Sequence, residues 1–287
     1  MVAEEQFDLF SSLRYDPALL HCEANSQLYG LTFPNAFYML PYHRDRMLSA
    51  ATHFGWPQAI KTLDAEKGLT SLYEVLSAQV NEYYSGKSIH ENERTPLKVR
   101  VLLAETGKLT VELSPTPAVT LQDLYPKDLK LHDTFVGSSK TGGALQVGSG
   151  TSAISGLQPW DIIIDSQRTD PTPFTSFKTT ARAMYSGARE RAGIKSFQDK
   201  AEVVLINPNG EAMEGSLTSV FFYRGGRWVT PPVESGGQVG TTRRWLLEQR
   251  QCEEEVVDIK SIKEGEECYI SNGVRGLTWG RIKATAA

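Results

Sequence analysis

Lys178 stands in Phe-Lys-Thr-Thr, ahead of a stripe made by Ala181, Met184, Tyr185 and Ala188 whose spacing predicts a helix starting at about the lysine. An amine placed there loses basicity once it is desolvated, and then serves as a nucleophile toward carbonyl carbon and as a proton carrier. Glu214 follows 36 residues later (214 − 178), in EGSLTSVFF. A third piece, Gly240-Thr241-Thr242-Arg243, opens TTRRWLLEQRQ, which reads as a helix with its N-cap at Thr241 or the residue beside it. Backbone N–H groups and hydroxyls at a helix start are what a phosphate needs, so Gly240, Thr241 and Thr242 are phosphate candidates. HRDRM supplies Arg44 and Arg46 near the N-terminus, and ISNGVRGL supplies Ser271, Asn272 and Arg275 near the other end. Guanidinium forks at Arg14, Arg182 and Arg275 suit carboxylates. Taken singly, each piece has a plainer meaning. A lysine before a helix is normally a solvated side chain, Glu-Gly is a turn signal, and an arginine is normally a surface or structural ion pair. The signal is the order and spacing of the set.

The elements that must position these residues read as follows. FDLFSSLRY is strand-like and a second apolar stretch covers Phe37 to Leu40. Met47, Ala50, Ala51 and Phe54 predict a helix, and Leu72, Val75, Leu76, Gln79, Val80 and Tyr83 predict another over Leu69 to Tyr84. KVRVLLAETGKLTVEL predicts a hairpin turning at Glu105 to Lys108. From Ser114 to Trp160 the pattern dissolves into Pro, Gly and Ser, with residues 137–156 reading as a surface loop or a lid. GSSKTGG within it lacks the spacing of a phosphate-binding loop. The second half restarts with the strand DIIID, continues through EVVLINPNGEAMEGSLTSVFFYRGGRWVTP as a meander, and closes with EEEVVDI and ECYIS as strands. This predicts α+β domains at 1–115 and 161–287 joined through 116–160, with a ligand cleft at their junction.

Composition removes several classes of function. No apolar run approaches the roughly 18 residues of a membrane-spanning helix, and the acidic start MVAEEQFDLF does not read as a secretory signal. Cys22, Cys252 and Cys268 are odd in number and far apart, which suits reduced thiols and a cytoplasmic location rather than disulfides. The five histidines form no metal-binding pair, and a net charge of −4 disfavours a nucleic-acid partner.

In sequence order, Lys178, EGSLTSVFF, VTPP, GTTRRWLLE and ISNGVRGL resemble the class-IV aminotransferase and aminodeoxychorismate lyase family, pyridoxal-phosphate enzymes of fold type IV. The resemblance covers most of the chain. It implies a two-domain α+β fold with the cofactor in the interdomain cleft, and a homodimer. It implies that Lys178 holds pyridoxal 5′-phosphate as a Schiff base and that Glu214 keeps the pyridine nitrogen protonated. By the same resemblance the phosphate is met by the Thr241 N–H, the Thr242 hydroxyl, Arg46 of the H-x-x-R-L element, and Asn272 with Ser271 as its alternative; Arg44, two residues before Arg46, is a near neighbour that a misalignment would promote.

Peripheral motifs separate members of the family. FSSLRYDP, FKTTARAMYSGARERAG and NGVRGL are similar to the E-T-[ML]-R-W opening, the K-T-T-x-R-x-x-Y-x-x-A-R helix and the N-S-L-R-G-L ending of the lyases. This implies release of 4-aminobenzoate and pyruvate from 4-amino-4-deoxychorismate, with Lys178 as the base at the ring carbon. The substrate is a small dianion, and Arg14, Arg182 and Arg275 are the candidates to receive it. Tyr185 either faces the site or packs, with packing favoured. The alternatives are a class-IV aminotransferase using the same lysine and a non-catalytic anion-binding relative. The last is motivated by Ser219, which stands where the family has asparagine.

Overall fold

The computed structural model describes residues 6–28, 34–87, 89–90, 93–131 and 158–283. The Gly/Ser-rich stretch at 137–156, with its GSSKTGG segment, lies outside them. The chain begins with strand β1 (Leu9–Tyr15), the single-turn helix α1 (Glu23–Ser26) and the helices α2 (Leu40–His53), α3 (Pro57–Leu63) and α4 (Ala65–Ser85). The expected hairpin follows as β2 (Leu97–Leu103) and β3 (Leu109–Pro115). Along β2, Leu97, Val99, Val101 and Leu103 are buried, in one core with Leu69, Leu72, Leu76 and Val80 of α4, while Lys98 and Arg100 project from the other face. Opposed residues of an antiparallel pair share a face. The register Phe10↔Leu102, Ser12↔Arg100 and Arg14↔Lys98 therefore puts Phe10 on the side of the two β2 cations.

After the one-turn helix α5 (Leu121–Leu124), the second half contains β4 (Trp160–Arg168), the one-turn α6 (Pro173–Ser176), α7 (Ala183–Arg191), β5 (Ala201–Ile206) and β6 (Ala212–Gly215). It continues with β7 (Ser219–Arg224), β8 (Arg227–Thr230), α8 (Thr241–Glu248), β9 (Glu253–Glu254), β10 (Glu267–Asn272) and β11 (Gly276–Ile282). Among the described residues these strands form one sheet in the order β6-β5-β4-β11-β10-β7-β8-β9. Just beyond β9, the Val257 carbonyl accepts the Ala212 N–H at 2.9 Å and Asp258 bridges to Glu211. The sheet therefore curls until its two edges meet. Ile162, Val204, Val220, Phe222, Cys268 and Ile270 form one core cluster, and Phe221 and Tyr269 join a different one with Tyr38, Tyr42, Trp245 and Leu246. Both faces of β7 and β10 are covered, so these strands read as continuous apolar runs rather than alternating ones.

Several expectations change. The segment after β5 is not a meander: the hairpins β5–β6 and β7–β8 are separated in the sheet by β4, β11 and β10. Only Glu253 and Glu254 of EEEVVDI form a strand, because the following residues leave β8 for the opposite edge of the sheet. Strand β11 was not anticipated. Helix α7 starts at Ala183, not at Lys178. The backbone groups of Lys178 and Thr180 are engaged elsewhere, as described below, and the first turn of the helix closes only with Ser186 N–H donating to Arg182 O at 3.0 Å.

No helix of the described residues is long and apolar enough to cross a membrane. Cys22, Cys252 and Cys268 are buried free thiols. Leu76 of α4 is fully buried, so Leu76→Ala is expected to lower unfolding free energy by about 2–5 kcal/mol in denaturant titration. Leu121→Ala, at a position 37% exposed, is expected to change it by about 0.5 kcal/mol or less.

Candidate active site

Lys178 lies in an extended stretch sewn to the start of β1. Phe10 N–H donates to Lys178 O at 3.0 Å, Thr180 N–H donates to Asp8 O at 2.9 Å, and Asp8 N–H donates to the Thr180 hydroxyl at 2.9 Å. The lysine Nζ sits 4.9 Å from the centre of the Phe10 ring. Burial, then the charges of Arg182 and Arg46, hold the amine well below the ordinary lysine range, and Glu214 opposes them. The amine therefore carries a larger neutral fraction near pH 7 than an ordinary lysine does.

Glu214, at the end of β6, is buried, and its carboxyl is raised above its usual value by that burial. The Tyr185 hydroxyl, donating to Oε1 at 2.5 Å, and the charge of Lys178 pull it back. Gln238 Nε2 donates to the Tyr185 oxygen at 3.0 Å. Tyr185 thus packs and faces Glu214 at once. The turn after Glu214 closes on Glu202, which is 1% exposed. Its carboxylate accepts the N–H groups of Ser216 and Leu217, each at 3.0 Å, and the hydroxyls of Ser216 at 2.5 Å and Thr218 at 2.9 Å. Where the family has an asparagine this chain has Ser219, and a buried carboxylate organises the turn.

A second group of residues can hold an anion. Arg46 Nη2 donates to the Ser11 hydroxyl at 2.6 Å, and Ser11 Oγ lies 2.7 Å from His43 Nδ1. His43 Nε2 in turn lies 3.5 Å from Thr241 Oγ1. Burial first, then Arg46 and Lys178, keep His43 well below its usual range, so the ring is neutral, accepting at Nδ1 and donating from Nε2. Burial pushes Arg46 down to about 10, which leaves it cationic near pH 7. The N-cap of α8 is Gly240; a Cβ there would stand 2.3 Å from Ser219 Oγ. The first intrahelical bond runs from Arg244 N–H to Gly240 O, so the N–H groups of Thr241, Thr242 and Arg243 have no partner within the helix. A Cβ at Gly273 would meet His43 Cε1 at 2.4 Å, which explains the glycine in Ser-Asn-Gly-Val-Arg.

The side chains of this group differ in part from expectation. The Thr242 hydroxyl is turned inward, donating to Asn272 O at 3.3 Å with Tyr38 Oη also at 3.3 Å, so its backbone is better placed for an anion than its side chain. Asn272 Oδ1 accepts the N–H groups of Val274 at 3.0 Å and Arg275 at 2.9 Å, shaping the turn into β11. Its neighbour Ser271 has a buried hydroxyl with no hydrogen-bond partner. Ser271, not Asn272, offers the unmet group. Arg44 pairs with Asp45 at 3.0 Å and reaches Leu63 O, leaving Arg46 as the arginine of the site.

The expected substrate arginines separate. Arg14 is fully buried, pairs with Asp16 at 2.7 Å and donates to Pro117 O at 2.9 Å, so it is a structural cation. Arg275 donates to Phe197 O at 2.9 Å and lies over Trp160. Arg182 stays beside Lys178: its guanidinium carbon is 4.0 Å from the Tyr185 ring centre, Nη2 donates to Ser216 O at 2.6 Å, and Nη1 is buried without a partner. Sequence reading missed Lys98 and Arg100 of β2. Arg100 sits 4.9 Å from the Phe10 ring centre, and Lys98 is close enough to depress the Lys178 amine. Their alternation against Val99 and Val101 was the available signal.

The family model described as amino-transferase class IV matches residues 31–281. The chain is 27% identical to an aminodeoxychorismate lyase of Saccharomyces cerevisiae over 304 residues, 96% of this chain and 77% of that one. The fold is similar to the crystal structure of 4-amino-4-deoxychorismate lyase from Pseudomonas aeruginosa, with a TM-score of 0.58 at 14% identity, covering 98% of this chain and 84% of that one. It is equally similar to a fold IV transaminase from Curtobacterium pusillum, with a TM-score of 0.58 at 15% identity, covering 96% and 76%.

Glu202→Leu leaves four donors of the Glu214 turn, three of them in buried hydrogen bonds, without an acceptor. It is expected to cost about 3 kcal/mol or more of unfolding free energy by chemical denaturation, with Glu202→Gln retaining part of the loss. Equal stability of Glu202→Leu and the native chain would show that water replaces the carboxylate.

Proposed function

The chain belongs to the amino-transferase class IV family, and from that premise we propose that it is a pyridoxal-phosphate-dependent 4-amino-4-deoxychorismate lyase, forming 4-aminobenzoate and pyruvate. The near full-length likeness to the yeast lyase supports the reaction. The observation that carries it is the charge around Lys178. Arg182 and Lys98 lie on the side of Phe10 together with Arg100, which is paired with Glu112 at 2.8 Å, so guanidinium and ammonium groups stand where an amino-acid side chain of apolar character would need hydrocarbon.

The residues present fit the cofactor. Arg46 Nε and Ser271 Oγ are buried without partners, the start of α8 presents N–H groups, and Gly240 lets that start pack closely on Ser219. Arg46, Ser271 and the N–H groups of Thr241 and Thr242 would bind the phosphate, Lys178 Nζ would hold the cofactor covalently, and Glu214 would hold the proton at the pyridine nitrogen. When bound, pyridoxal phosphate supplies an electron sink conjugated to the amine-bearing carbon. Arg182 orients a substrate carboxylate through its unmet Nη1. Lys178, displaced by the substrate amine, takes the proton from the ring carbon that bears that amine. Its depressed basicity raises the neutral fraction available for this near pH 7 above that of an ordinary lysine. Loss of that proton and breakage of the enolpyruvyl C–O bond leave an aromatic ring, and the departing enolpyruvate takes up one proton at carbon to become pyruvate. The same reading carries the family's homodimer, which light scattering tests.

Incubation with 4-amino-4-deoxychorismate is expected to yield equal amounts of 4-aminobenzoate and pyruvate. Lys178→Ala is expected to lower the rate by about 10³-fold or more. With the lysine acting as base, kcat is expected to rise with pH through a midpoint below the ordinary lysine value of 10.5. No 4-aminobenzoate, together with conversion of 2-oxoglutarate to glutamate in the presence of an amine donor, would establish a transaminase instead.

A further inference from the structure

Tyr185 lies on the inner face of α7 and is 2% exposed, while Gln238, on the segment before α8, is 7% exposed. The two form a directed chain. Gln238 Nε2 donates to the Tyr185 oxygen at 3.0 Å, and the Tyr185 hydroxyl has one proton, which goes to Glu214 Oε1 at 2.5 Å rather than to Thr175 O at 3.3 Å. A bond of that length to a carboxylate is of the charge-assisted kind. Burial and the neighbouring Glu214 hold the Tyr185 hydroxyl well above its usual range, so the proton stays on the phenol as a donor, while the Arg182 guanidinium over the ring opposes that shift. The ionisable groups that bear on Glu214 are Lys178, Arg46 and Arg182, and it receives hydrogen bonds from the Tyr185 hydroxyl and from the backbone of Gln238. A side chain needed only to fill the core under α7 would not require a hydroxyl aimed at the Glu214 carboxylate.

We propose that Tyr185, fixed by Gln238, is a positioning residue that sets how strongly Glu214 holds the proton shared with the cofactor's ring nitrogen. This rests on the reading that Glu214 faces that nitrogen. The Tyr185 hydrogen bond stabilises the carboxylate and leaves the proton on the ring. Without it the carboxylate becomes more basic, draws the proton toward itself, and weakens the ring as an electron sink. A less positive ring also opposes protonation of the nitrogen joining Lys178 to the cofactor less strongly, so that nitrogen titrates at higher pH.

The test uses the holoenzyme and three readouts: cofactor dissociation constant, pH midpoint of the bound-cofactor absorbance band, and the split between kcat and KM. Tyr185→Phe is expected to hold pyridoxal phosphate within about threefold of the native protein, to raise the midpoint by about one unit or more, and to lower kcat about tenfold or more with KM unchanged, as loss of a hydrogen bond to a charged group implies. Gln238→Leu is expected to move the same readouts in the same direction by less. A Tyr185→Phe protein of lower thermal stability with native midpoint and kcat would overturn the proposal and reduce Tyr185 to packing. Should Tyr185→Phe not fold, an unmoved midpoint in Gln238→Leu overturns it equally. A native protein that forms no absorbance band with pyridoxal phosphate, or a Glu214→Gln variant with an unmoved midpoint, overturns the cofactor reading itself and this proposal with it.

Discussion

Three backbone and side-chain hydrogen bonds between Asp8–Phe10 and Lys178–Thr180 fix the amine on which the proposed chemistry depends. They join the first strand of the small sheet to the segment that leads into α7, across about 170 residues of chain. The loop-closure entropy of such a contact is large and cannot be repaid by so few bonds. The aromatic groups around it supply the rest: Phe7 packs edge-on against Phe54 and Phe174, and His53 stacks on Phe177, the residue before the lysine. The lysine is therefore held by strand pairing and aromatic packing rather than by a helix cap. This explains why α7 begins five residues later than its apolar stripe suggests.

Around that amine the pocket concentrates positive charge in a chain whose net charge is −4. Lys178, Arg46, Arg182, Lys98 and Arg100 depress or crowd one another; Glu214 opposes them beside the amine, Glu202 acts on Arg182, and Glu112 pairs with Arg100 at 2.8 Å. Burying like charges is costly unless anions complete the arrangement. The unmet Arg46 Nε, Arg182 Nη1 and Ser271 Oγ express the same imbalance as missing hydrogen bonds. A phosphate at one end and a substrate carboxylate at the other, as the proposed function requires, would remove both deficits.

Local pattern revealed the residues but not the frame around them. Lys178, Glu214, Arg46 and the Gly240-Thr241-Thr242 turn were legible because their types and order carry chemistry in one dimension. The helices and the first hairpin were legible because one face of each is buried and the other is not. Strand order was hidden, since β4, β11 and β10 intervene between hairpins that are adjacent in sequence, and both faces of β7 and β10 are covered. Glu202 gave no signal because its partners lie 14 to 16 residues away in a turn that only the fold creates. Arg14 misled because type and motif cannot distinguish a guanidinium aimed at Asp16 from one aimed at a ligand. Asn272 and Ser271 are neighbours on a strand, and a shift of one residue exchanges their faces.

The distribution of the cations also bears on the choice between reactions that share this fold. A transaminase must accept two amino-acid and oxo-acid pairs in turn in one pocket, which favours a surface tolerant of different side chains. A lyase acting on one dianion gains most from fixed charges at two places. Lys98 and Arg100 are held by the register of β1 and β2, while Arg182 is pinned by Ser216 O and by the Tyr185 ring. Rigid placement costs little reorganisation when the substrate arrives and discriminates against substrates lacking the second carboxylate, because a desolvated guanidinium would then remain unpaired. On the proposed lyase reading, the wall of strands would limit the range of substrates as well as attract the right one. That restriction follows from the alternation of β2, whose odd-numbered residues build the core and whose even-numbered residues Lys98 and Arg100 face the site.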